Sequence, residues 1–65
     1  MELNMLERDR VRIHFKDAFY AMELYNKNGD YCYTMEEAIE IALEKYPNES
    51  FELYDGSQGY THNWE

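Results

Sequence analysis

The chain has 65 residues, with fourteen Asp and Glu against six Lys and Arg, for a formal net charge of −8. A field that negative repels nucleic acid and anionic membrane and attracts basic protein surfaces. No stretch approaches the ~20 apolar residues that span a bilayer, and one cysteine, Cys32, rules out an internal disulfide.

These bounds describe one small domain, residues 1–65. A domain of this size buries only about 60% of its unfolded surface, so its core is marginal. Leu, Ile, Val and Phe number twelve, low enough with this charge to raise disorder as an alternative. Seven Tyr and four Met add apolar mass, and two stretches have clean periodicity, so a folded chain is expected. A single thiol with acidic neighbours fits a reducing cytoplasm and an inert, buried cysteine. The first residues lack a cationic stretch followed by an apolar run, so no secretion signal is expected.

In chain order, a short helix at 2–8 is allowed. Residues 10–16 alternate: Val11, Ile13 and Phe15 point one way, and Arg10, Arg12, His14 and Lys16 the other, as in a half-buried strand. The rival reading is a long helix over 2–25, on the spacing of Val11, Phe15, Ala18, Met22 and Tyr25. It would leave Ile13, Tyr20 and Leu24 on its back. Residues 26–30, Asn-Lys-Asn-Gly-Asp, signal a hairpin turn between stretches 19–25 and 31–34. In the first of these, Tyr20, Met22 and Leu24 would share one strand face, with Glu23 on the other.

The clearest element is an amphipathic helix over about 35–46. Thr34 and Glu37 have capping-box spacing, and Pro47 and Asn48 stop the helix. Met35, Ala38, Ile39, Ala42, Leu43 and Tyr46 form its apolar face, and Ile41 falls outside it. Residues 51–54 alternate again, and residues 59–64 read as a last short strand or an ordered arm. The expected fold is α+β: a small antiparallel sheet with this helix packed across it.

Glu36, Glu40 and Glu44, each four residues apart, line one side of the helix at a repeat of about 6 Å. A row of carboxylates at that step resembles the charge series of a nucleic-acid strand and suits a phosphate-binding groove. With Glu37, these are the candidate acidic contacts. Tyr54, Tyr60 and Trp64, with Glu52 and Asp55, form a candidate aromatic contact surface. A solvated helix face and a small core built from the rings are the plainer readings.

Catalysis by carboxylates needs a pocket that pushes two pKa values apart, which so thin a chain is not expected to build. No enzyme activity, metal or cofactor is expected. Asn26, Asn28, Asp30 and Glu37 fall at calcium-loop positions, but Tyr31 stands where the sharp turn demands Gly. His14, Cys32 and His62 lack zinc-ligand spacing. Arg8, Arg10, Arg12 and Lys16 give residues 1–16 a net charge of +1, against −9 for residues 17–65. They are expected to pair with Glu23 or other acids on neighbouring strands rather than to hold nucleic acid.

In length, charge, single cysteine and the acidic helix Glu36–Glu44, the chain resembles the small acidic inhibitors that phages encode against host defence. Anti-CRISPR proteins and the uracil-DNA glycosylase inhibitor belong to that class. The resemblance implies nucleic-acid mimicry, in which a basic surface of a nucleic-acid-binding protein is blocked. It rests on no motif, so it transfers no residue role. The alternative is a self-associating structural or regulatory module, antitoxin-like or an assembly protein, and a homodimer suits either reading.

Overall fold

A computed structural model describes residues 10–56 and 58–64. Its elements are β1 (Arg12–Phe15), β2 (Ala21–Glu23), α1 (Met35–Lys45), β3 (Phe51–Tyr54) and β4 (Gly59–His62). The strands form one antiparallel sheet ordered β2-β1-β3-β4, and α1 packs against it through β3 and β4. The expected α+β fold is therefore present. Strands replace the rival long helix over residues 10–25, and the helix suggested at 2–8 lies outside the described residues.

Alternation decides which side of the sheet is covered. Val11, Ile13, Phe51 and Leu53 are buried under α1. The register sets Ile13 opposite Leu53 and Phe15 opposite Phe51, so both central strands send their apolar residues to the same face. Fully burying such side chains contributes about 1.5–3 kcal/mol each. Arg12, His14, Glu52 and Tyr54 take the opposite face, on which no described element packs.

The hairpin signal at 26–30 is borne out, but the flanking strands are shorter than expected. Tyr25 and Tyr31 form a single antiparallel bridge. Asn26 Oδ1 accepts from the backbone N–H of Asn28 and Asp30, and Gly29 takes φ +89°. That side-chain oxygen is occupied by the turn, as expected of a hairpin rather than a calcium loop. Strand β2 stops at Glu23 and residues 31–34 form no strand, because the backbone closes a different set of bonds. Val11 N–H donates to Cys32 C=O (2.8 Å), Cys32 N–H to Leu24 C=O (2.8 Å), and Leu24 N–H to Val11 C=O (3.1 Å). All three residues are buried. Of the face expected from Tyr20, Met22 and Leu24, only Leu24 is in the core; Tyr20 and Met22 are exposed.

Helix α1 begins where the Thr34 cap predicts, with Thr34 Oγ1 accepting from Glu37 N–H at 3.3 Å. Rather than closing the capping box, the Glu37 carboxylate accepts from Asn26 Nδ2 (3.3 Å), which ties the helix start to the hairpin turn. The buried face differs from the expected one. Ile41 is 6% exposed and buried beside Ala38 and Ala42, whereas Ile39 and Leu43 are half-buried. At 100° per residue the buried face is turned roughly 75° from the one expected. The cause is steric: Ala38 and Ala42 let the helix approach the sheet closely, so contact centres on them and takes in Ile41.

The far end of the helix is closed by aromatic contacts. Phe15 meets Tyr46 edge-on at 4.9 Å and Phe51 at 6.5 Å, and His62 lies 4.9 Å from Phe51. The expected last strand is present as β4. Beyond it the Ser50 hydroxyl accepts from Trp64 N–H (2.9 Å) and donates to Trp64 C=O (3.2 Å).

The turned helix face predicts different costs for two neighbouring isoleucines. Ile41→Ala should cost about 2–4 kcal/mol, and Ile39→Ala less than half of that. Urea unfolding of both variants checks this; a larger loss at Ile39 would place the contact where the sequence pattern put it.

Candidate functional site

The turned face sets the acidic row opposite the core. Glu36, Glu40 and Glu44 are all exposed and span the side of α1 farthest from Ala38. They are not equally free. Lys27 Nζ lies 3.3 Å from Glu44 Oε1, an exposed pair of the kind worth at most about 1 kcal/mol. Glu37 lies off the row, half-buried and held by Asn26. Half-buried Ile39 and Leu43 form an apolar shoulder beside the row. Together with Glu36 and Glu40 they line an open hollow on the outer side of α1.

The other candidates do not join this face. Glu52 lies on the uncovered side of the sheet, between His14 and Thr61 in the ladder, and Tyr54 lies beside it between Arg12 and Gly59. Tyr60 pairs with Leu53, so it faces the helix and packs on the core. The β3–β4 register thus sends Tyr54 and Tyr60 to opposite faces. The Asp55 carboxylate accepts from Gln58 N–H at 2.8 Å and braces the turn. Trp64, 50% exposed, sits at the end of the sheet away from Tyr54, beside Lys16, Asp17 and Ser50. The aromatic surface expected from the C-terminal sequence is therefore divided among three places.

Two aromatic groups were not legible as sites. Phe19 is 102% exposed, with Tyr20 also exposed, on the β1–β2 connection. That connection shares its end of the sheet with Trp64. The sequence pattern placed Phe19 at the start of a strand; His14 Nε2 donating to Ala18 C=O (2.8 Å) and Ala18 N–H donating to Phe15 C=O (3.0 Å) instead hold a turn. At the opposite end Tyr25, Tyr31 and Tyr33 cluster, with ring centroids 4.9 and 6.1 Å apart. The signal for this group was the bridge register combined with Tyr-Cys-Tyr alternation. Hydrogen bonding with Tyr31 holds the Tyr25 hydroxyl above its ordinary pKa.

The basic strand face meets its expected partner in one case. Arg10 Nη1 lies 3.4 Å from Glu23 Oε2, and the guanidinium stacks 4.2 Å above the Tyr31 ring. Arg12 and Lys16 are exposed and have no ion-pair partner among the described residues. Among those residues no cluster of three or more His, Cys, Asp or Glu is placed to hold a metal ion, and no helix is long and apolar enough to cross a membrane.

Comparison with known proteins finds no matching family model, no matching curated protein and no matching solved structure.

Burial pushes the Cys32 thiol pKa up, and the nearby Glu37 carboxylate adds to the shift. The native chain should therefore react with a thiol-specific disulfide reagent at least ~100-fold more slowly than the urea-unfolded chain. Stopped absorbance measurements at pH 8 check this, and comparable rates would show an accessible thiolate.

Proposed function

We propose that this chain is a small acidic binding protein that docks on a basic, nucleic-acid-handling site of another protein and blocks it. The observation that carries this reading is the exposed row Glu36, Glu40 and Glu44, set opposite the buried helix face. A rigid helix presents the three carboxylates at a fixed step of about 6 Å. Their field steers encounter with a cationic groove, and desolvation at the contact fixes the register. The reading is that of a nucleic-acid mimic acting as an inhibitor in the cytoplasm, in the manner of anti-CRISPR proteins from phages. It assigns the chain no catalysis.

Charge supplies speed and orientation, and apolar anchors supply most of the residence time. Ile39 and Leu43 stand beside the row. Phe19, Tyr20 and Trp64 are exposed apolar residues at one end of the sheet. A fully exposed Phe contributes little to the fold, so its use is assigned to a partner's pocket.

The test is affinity capture from host lysate at about 0.05 M and about 0.3 M salt, read by mass spectrometry. The expected catch is a nuclease, polymerase or repressor that the wild type holds at low salt and releases at high salt. The Glu36→Gln/Glu40→Gln/Glu44→Gln variant should lose it, and the captured protein should lose oligonucleotide binding as the chain is added. Undiminished capture by the triple variant would remove the row from the mechanism. Phe19→Ala should leave unfolding free energy within about 0.5 kcal/mol of wild type while weakening the captured complex ~10-fold or more.

A further inference from the structure

The side of the sheet that no described element covers carries two cations without an ion-pair partner among the described residues. Arg12 and Lys16 project from it on either side of His14, and His14 is held by Ala18. Alternate residues of a strand repeat about every 6.7 Å, so Arg12 and Lys16 stand about 13 Å apart. Across the molecule, Glu36 and Glu44 stand about 12 Å apart along α1. The two rows match to within about 1 Å, less than the reach of an Arg or Lys side chain. Tyr54 lies opposite Arg12 and offers a ring to the Ile39–Leu43 shoulder. Glu23, already paired with Arg10, and Glu52, opposite His14, flank the cationic row and confine an acidic helix to the line of β1.

We propose that the uncovered face of the sheet is a docking surface for the acidic helix face of a second copy of this chain. The two surfaces lie on opposite sides of one molecule, so the contact is head-to-tail and propagates into open chains rather than closing as a two-fold dimer. The proposal shares the helix row with the target-binding reading: a basic target and a second copy compete for the same carboxylates. Self-association then stores the acidic face until a target of higher affinity arrives. A polyanion is the other occupant that a cationic, tyrosine-bearing sheet face suggests. The net charge of −8 opposes either occupant, and only the second copy brings both a matching row and an apolar shoulder to offset it.

Sedimentation velocity at about 0.05 M salt tests the proposal. The wild-type weight-average mass should rise with concentration, and the rise should vanish at about 0.3 M salt. Arg12→Gln/Lys16→Gln and Glu36→Gln/Glu40→Gln/Glu44→Gln should each be monomeric alone, with melting temperatures confirming that both are folded. Mixed in equal amounts they should form a 1:1 dimer that grows no further, because only one intact interface remains. A wild type that stays monomeric, a single-face variant that still associates, or a mixture that stays monomeric would each overturn the proposal. So would oligothymidylate binding by the wild type that is lost in the Arg12→Gln/Lys16→Gln variant. That variant keeps its acidic row, so its capture of the lysate target reports on target binding alone.

Discussion

Val11, Leu24 and Cys32 each donate one backbone hydrogen bond and accept another from within the same trio, closing a ring across three segments. Buried amides and carbonyls must be paired, and here the pairing comes from neither a helix nor a regular ladder. The ring fixes the entry to β1, the exit from β2 and the approach to the helix cap in one place. Everything downstream inherits that position. Cys32 holds the backbone two residues before Thr34, Thr34 starts α1, and the direction of α1 decides which sheet face is covered. A small side chain suits Cys32, which is fully buried where three backbones converge.

Among the described residues one helix meets one sheet and covers one side of it. The apolar alternation of β1 and β3 is spent on that side, and the charges left over are sorted by the same geometry. Acids gather on the outer helix surface, while Arg12 and Lys16 remain on the bare sheet. The net charge of −8 hides this division. A chain read only by its total appears uniformly repulsive to anions and to its own copies. Resolved by face, it has a row of acids along the outer helix surface and, on the other side of the molecule, Arg12 and Lys16 with Glu23 and Glu52 beside them; at physiological salt a partner senses the nearer of the two.

Much of the fold was legible because its signals are local. Thr34 and Pro47 bracket α1, residues 26–30 encode a turn in their composition, and the alternation of residues 11–15 and 51–54 marks the central strands. The errors arose where packing overrode pattern. Ile41 looked misplaced because the helix was centred on its largest apolar residues, whereas close approach to the sheet favours Ala38 and Ala42. Residues 31–34 looked like a strand because Tyr is β-favouring, yet their backbone bonds turn inward to Val11 and Leu24. The acidic row was legible from four-residue spacing alone. The division of Tyr54 from Tyr60 was not, since it depends on the turn at Asp55 and the register that turn imposes.

The strand order also sets an order in time. The centre of the sheet joins β1 to β3, so Ile13 finds Leu53 only after the forty residues after it have been made. Until then β1 has β2 beside it on one edge and an open edge on the other, with Val11 and Ile13 uncovered. A ribosome-bound chain that has not yet extruded residues 51–54 presents a sticky two-stranded edge to every neighbour. Productive folding is therefore held until β3 has been made. Slow translation between β2 and β3 would prolong the exposure of that edge, whereas slow translation before β1 would not.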